Sequence, residues 1–149
     1  MHGPGGKLNV HMDYSIHPKL MLQRKLNLLI YMTPQWNTGW GGSLGLYGND
    51  DETVPGKLIQ DISPIFNRAV LFDVTKNSWH GLPSPIKCPE GITRNSLAVY
   101  YLQEPDGSAN PSRVKARFAP APWQTEDKNV LELIEKRSGI VSSRNVYEN

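Results

Sequence analysis

No apolar run in this chain goes far before a proline or a glycine stops it: twelve prolines and thirteen glycines are spread through 149 residues. Proline removes a backbone donor and glycine frees the chain to turn. The segments left between them are short, and several alternate. In "KLNVHMD" (7–13), Leu8, Val10 and Met12 face one way while Asn9, His11 and Asp13 face the other. "KLNLLIYM" (25–32), "SLGLYG" (43–48), "KLIQDI" (57–62) and "AVLFDV" (69–74) read as further strands. "RNSLAVYYL" (94–102) is the longest, with Leu97, Val99 and Tyr101 alternating with Ser96, Ala98 and Tyr100, and "RVKARF" (113–118) is a final one. "HPKLMLQR" (17–24) reads as a loop.

The texture changes late in the chain. "TEDKNVLELIEKRSG" (125–139) has the marks of one helix. Thr125 sits at the cap, Glu126 and Asp127 lie at the positive end, Lys136 and Arg137 at the negative end, and Gly139 can terminate it. "VSSRNVYEN" (141–149) reads as a tail. Seven or eight short strands and one late helix predict an all-β sandwich or small barrel. The length suits one domain with its own core, placed at 1–123, with the helix and tail at 124–149.

Composition narrows the partners. The net charge is +2 and scattered, which argues against a nucleic-acid surface. No apolar stretch approaches the roughly 20 residues of a membrane helix. The opening "MHGPGGKLNV" lacks the apolar run of a secretory leader. Cys88 is the single cysteine, so no internal disulfide forms, and a reducing cytoplasmic compartment is the default.

"NVHMDYSIH" (9–17) raises the chemical question. Positions i and i+2 of a strand share a face, so His11 and Asp13 can offer one ion a nitrogen and a carboxylate oxygen. One further histidine would complete a two-His, one-carboxylate set with three open positions, which suits non-haem Fe(II). Alone, a His-x-Asp is weak, since chance supplies it in roughly one such chain in five. It is joined by His80 in "NSWHGLPSP" and then by Arg94 and Ser96 in "TRNSLAVYY".

That order and spacing resemble the Fe(II)- and 2-oxoglutarate-dependent oxygenases, most nearly the prolyl 4-hydroxylase-like branch. "GGKLNVHMDYS" resembles the strand with the family's proximal ligand pair. "RKLNLLIYMTPQWNTGWGGSLGLY" resembles its next strand, loop and glycine-glycine strand. "PIFNRAVLFDVTKNSWHGLPSPIKCPEGITRNSLAVYYL" resembles its distal-histidine and oxoglutarate segment. The resemblance implies a double-stranded β-helix, the cupin-like jelly roll. It implies that His11, Asp13 and His80 are the iron ligands. Arg94, Ser96 and Tyr31 would hold the distal carboxylate of 2-oxoglutarate, Arg94 through its two-donor fork. The cofactors implied are Fe(II), 2-oxoglutarate and O2, with ascorbate as a reductant. The implied reaction is hydroxylation of an unactivated C–H bond of a prolyl residue or small metabolite, with release of succinate and CO2. Related halogenases lack the carboxylate ligand, so Asp13 favours hydroxylation.

The chain also departs from the family. Collagen-type prolyl hydroxylases carry Lys where this chain has Arg94, so a collagen-like substrate is not implied. Nucleic-acid demethylases of the superfamily carry a second Arg soon after the first, and "NSLAVYYLQ" has none. Helices and at least one strand precede the His-x-Asp strand in family members, and here those supporting elements are missing or very short. An exposed sheet edge or apolar face is the expected consequence, and homo-oligomerisation one result of it. The rival from another class is a non-catalytic metal-binding jelly-roll module, or an inactive fragment acting as an interaction domain. His17, before Pro18 at a turn, reads as a surface residue, and His2 as part of a flexible N-terminus. Trp79 reads as packing, and Cys88 as a thiol without a catalytic role.

Overall fold

The computed structural model describes residues 1–139 apart from 49, 52, 111, 112 and 114; the expected tail at 141–149 lies outside the described residues. Eight strands run in order among them: β1 (His11–Met12), β2 (Gln23–Tyr31), β3 (Leu44–Tyr47), β4 (Leu58–Ile62), β5 (Ala69–Asp73), β6 (His80–Gly81), β7 (Ser96–Gln103) and β8 (Arg117–Phe118). They form two antiparallel sheets, ordered β4-β3-β6-β1-β8 and β5-β2-β7. The chain crosses repeatedly from one to the other, which makes the expected jelly roll.

The first sheet is narrow at its centre. The strand expected over 7–13 shrinks to His11–Met12, yet its flank stays tied by backbone bonds: Leu82 N–H donates to Leu8 O at 2.9 Å and Ala119 N–H to Val10 O at 2.8 Å. Gly81 makes the close approach of β6 feasible, because a Cβ there would lie 2.8 Å from Val10 Cα. Met12, Trp79 and Ala119 form one apolar cluster, and Trp36, Leu82, Ile86 and Cys88 another. Burying each large side chain of this kind is worth ~1.5–3 kcal/mol. Trp79 therefore packs, as read from the sequence, with its Nε1–H donating to Asp51 O at 2.9 Å. The buried Arg113 guanidinium, just before β8, donates to the carbonyls of Val74, Thr75 and Lys76 at 2.8–3.0 Å. It thus clips the approach to β8 onto the turn between β5 and β6.

The second sheet distributes its residues the other way. Residues paired across strands share a face. Leu26, Leu28 and Ile30 of β2 lie in register with Tyr101, Val99 and Leu97 of β7, and with Asp73, Leu71 and Ala69 of β5. This apolar face is the outer one: Leu71 is 57% exposed, Leu97 52% and Tyr101 49%. Among the described residues nothing covers this face. Asn27 and Tyr31 point the opposite way and are buried.

The helix α1 spans Lys128–Gly139. Its start corrects the sequence reading. Asp127, not Thr125, caps it, with Oδ1 accepting from Asn129 N–H at 3.1 Å and Val130 N–H at 3.3 Å. Pro122 opens a short 3-10 turn over Pro122–Gln124, and Thr125 closes that turn by donating its hydroxyl to Pro122 O. The turn delays the helix, so Glu126 and Asp127 precede its first turn. Lys136 and Arg137 do occupy the last turn, and the Arg137 guanidinium lies over the Phe118 ring of β8. Among the described residues no helix is long and apolar enough to cross a membrane.

Candidate metal centre

His11 and His80 stand side by side because β1 and β6 pair them in register, with ring centroids 4.4 Å apart. Asp13 follows two residues after His11. One ligand atom from each of the three lies within 4.8 Å of the others, and all three side chains are buried. Each imidazole has already committed one nitrogen. His11 Nδ1 lies 2.9 Å from Asn9 O, and His80 Nδ1 lies 2.8 Å from Ser78 O. A carbonyl only accepts, so Nδ1 carries the proton and Nε2 presents its lone pair to the centre. Phe118 stacks on His11, and Phe72 meets His80 edge-on across the gap between sheets. Burial, reinforced by neighbouring His80 and opposed by Asp13, lowers the His11 pKa to about 4. The ring is therefore neutral near pH 7, as a metal ligand must be.

Asp13 fits an ion as well. Its Oδ1 is 3.3 Å from Arg24 Nη1. Its Oδ2 is buried with no hydrogen-bond partner and lies 3.9 Å from His80 Nε2. That gap is too long for a hydrogen bond. An orphaned carboxylate oxygen facing two free imidazole nitrogens is the donor set of a two-His, one-carboxylate Fe(II) site.

A second cluster surrounds Arg94. Arg94 is 4% exposed, and no acidic side chain among the described residues pairs with it. Its guanidinium carbon is 4.9 Å from the Tyr31 ring centroid, and its Nε has no partner. Burial without a counter-ion lowers its pKa. The Tyr31 hydroxyl is also buried, with the Arg94 guanidinium as its charged neighbour. Burial raises its pKa, with the nearby Arg94 charge opposing, so it stays a protonated donor. Ser96 is in register with Tyr31 and shares its face. Gly42, in the left-handed region at φ +75°, leaves room for this arginine: a Cβ there would sit 2.9 Å from Arg94 Cδ. Unpaired donors of this kind suit a carboxylate.

Two histidines stay outside the centre. His17 Nδ1 accepts from Lys19 and Leu20 N–H, closing a turn. His2, expected in a flexible N-terminus, instead pairs its backbone with Arg94, N–H to O at 3.0 Å and O to N–H at 2.8 Å. Sequence reasoning missed Arg24, Tyr14, Tyr100, Phe72 and Phe118. Only Phe118 left a signal, as the last alternating residue of "RVKARF".

A jelly roll that gathers two imidazoles, a carboxylate and an unpaired arginine inside one fold is a metal-dependent oxygenase scaffold. The 2OG-Fe(II) oxygenase superfamily model matches residues 1–102, and the chain belongs to that family. Membership implies Fe(II), 2-oxoglutarate and O2. Similar proteins include the prolyl 3-hydroxylase OGFOD1 of Xenopus laevis, 39% identical over 101 residues, and that of Mus musculus, 32% identical over 108. Those matches take in 65% and 72% of this chain but 19% of each relative, so the chain spans about a fifth of their length. Among solved structures, a prolyl 4-hydroxylase from Phytophthora capsici superposes with a TM-score of 0.52 at 24% identity. That match covers 99% of this chain and 44% of the other, and shows the shared fold.

Proposed function

We propose that this chain is an Fe(II)- and 2-oxoglutarate-dependent dioxygenase domain that hydroxylates an unactivated C–H bond, with a prolyl residue as the first candidate and a small metabolite as the second. The observation that carries this reading is the convergence of His11, Asp13 and His80 within 4.8 Å in a fold that also buries Arg94 without an acidic partner among the described residues. His11 and His80 Nε2 and Asp13 Oδ2 would hold the iron, leaving three positions open. Arg94, Ser96 and Tyr31 would hold the distal carboxylate of 2-oxoglutarate and so aim its keto-acid end at the metal. When bound, the metal and cosubstrate supply the oxidising chemistry, with succinate and CO2 as coproducts. The protein supplies ligation, orientation and shielding. Prolyl hydroxylation as the outcome is supported by the names of the OGFOD1 relatives.

The test is purified protein with Fe(II), ascorbate and 2-oxoglutarate, scored for succinate. Slow turnover without substrate should vanish in His11→Ala and Asp13→Ala. Failure of the wild-type protein to bind 2-oxoglutarate with Fe(II) under anaerobic conditions would refute the reading. That outcome would favour an inert metal-binding module, a rival to which the bare outer face of the second sheet lends some weight.

A further inference from the structure

We propose that Arg24 is a positioning residue that keeps Asp13 a one-oxygen metal ligand; the inference rests on the oxygenase reading and deepens it. Strict alternation along β2 would put Arg24 in phase with Leu26, Leu28 and Ile30, on the outer face. The ladder to β7 slips between Arg24 and Leu26, so that Arg24 pairs with Leu102 while Leu26 pairs with Tyr101. Lys25 is the extra residue. This bulge turns Arg24 inward, where it is buried beside Asp13.

The guanidinium is then held on three sides. Its carbon lies 3.8 Å from the ring centroid of Tyr14 and 3.8 Å from that of Tyr100. Nη2 donates to the Tyr14 hydroxyl at 2.6 Å. Of the remaining donors Nη1 is the one that reaches the carboxylate, at 3.3 Å from Oδ1, while Nε has no partner. A guanidinium present merely to neutralise Asp13 would take both oxygens with its fork. Here the tyrosine slot spends half of the fork elsewhere, so Oδ2 is left without a partner and faces His80.

The division matters for coordination. Two imidazoles and one carboxylate oxygen fill three of six positions. A chelating keto acid needs two more and O2 the last. An aspartate free to swing and bind through both oxygens would take a fourth, and the keto acid or O2 would lose its place. By occupying Oδ1, Arg24 prevents this.

Co(II) serves as the probe, through its visible absorption and through 2-oxoglutarate titration of the Co(II)-loaded protein. Arg24→Met should still take up Co(II), but with an altered spectrum and at least tenfold weaker 2-oxoglutarate binding. Arg24→Gln, which keeps an N–H for Oδ1, should return to within about threefold of wild type. Wild-type spectrum and affinity in Arg24→Met would overturn the proposal, and so would no recovery in Arg24→Gln. If the wild-type protein binds Co(II) but no 2-oxoglutarate, the oxygenase reading fails, and the Co(II) spectra alone decide the role of Arg24: a change in Arg24→Met supports it and identity overturns it. If the wild-type protein binds no Co(II), both fall. Should Arg24→Met not fold, Tyr14→Phe decides. Loss of that hydroxyl releases Nη2 to close on both carboxylate oxygens, so Co(II) affinity should drop at least threefold, and unchanged affinity overturns the proposal.

Discussion

Replacing Arg94 with methionine should leave the empty protein at least as stable as wild type while removing its hold on 2-oxoglutarate. The reason is that Arg94 is nearly solvent-free and has no acidic partner among the described residues. Among the described residues its cation is compensated by Tyr31 alone, whose ring centroid is 4.9 Å away, and its Nε bonds to nothing. Apolar replacement of a buried charge by a side chain of similar volume is neutral or stabilising by ~1–4 kcal/mol. For a chain of this size each kcal/mol moves Tm by about 2–4 °C. Binding should respond in the opposite sense. Truncating one partner of a buried, hydrogen-bonded charge pair costs about 2–5 kcal/mol, or roughly 30- to 5000-fold in affinity.

The assay is a pair of melting curves with Mn(II) as a redox-stable stand-in for iron, without and with saturating 2-oxoglutarate. Ligand at a hundred times its Kd should stabilise the wild-type protein by ~2.7 kcal/mol and the variant hardly at all. Adding 2-oxoglutarate should therefore shift the stability difference between the two proteins by ~2.7 kcal/mol in favour of the wild type. Mn(II) affinity should be nearly unchanged, because His11, Asp13 and His80 are untouched. A variant that melts several degrees below the empty wild type would mean that Arg94 is a structural clip. A variant that keeps the ligand-induced shift, or that loses metal and cosubstrate together, would equally refute the reasoning.

Three further outcomes are expected. Below pH 6.5 the unfolded chain protonates His11, while the buried ring resists until about pH 4; metal-free stability should thus fall with pH across that window, by ~2 kcal/mol at pH 5, and His11→Asn should flatten the slope in a urea titration series. Gly42→Ala imposes a left-handed backbone costing ~1–2 kcal/mol and pushes on Arg94 Cδ from 2.9 Å, so Tm and 2-oxoglutarate affinity should fall together; loss of Tm alone would mean the arginine absorbs the contact. Leu71→Lys, on the outer face, should change stability by no more than about 0.5 kcal/mol and reduce light scattering at high concentration; a large loss of stability would show that this face is packed.

Much of this was readable in the chain, because strands obey a two-residue period and the ligands sit on them. His11 and Asp13 share a face for that reason alone, and the resemblance carried by His80, Arg94 and Ser96 supplied the other candidate residues. The positions of the strands followed from the proline and glycine punctuation. What was hidden depends on departures from the period or on contacts distant in sequence. Arg24 reads as a loop residue next to an alternating strand, and only the bulge at Lys25 brings it inward. Phe118 reaches His11 across more than a hundred residues, through a register that no local pattern encodes. The helix cap moved from Thr125 to Asp127 because Pro122 first imposes a tight turn that takes up Thr125.

The second sheet explains why site and stability are linked. A sheet that served only as structure would turn Leu26, Leu28, Ile30, Val99 and Leu97 toward the core. Here the register sends them outward, and Asn27, Tyr31 and Ser96 inward. The interior consequently holds Asp13, Arg24 and Arg94 where apolar packing would contribute more. An orphaned carboxylate oxygen and an unpaired guanidinium both carry desolvation costs in the empty protein. A divalent cation on Asp13 and a carboxylate on Arg94 would each cancel one of those costs. The groups that weaken the empty fold are therefore those a ligand repays, so the loaded state should gain more stability than binding to a neutral, preformed pocket would suggest.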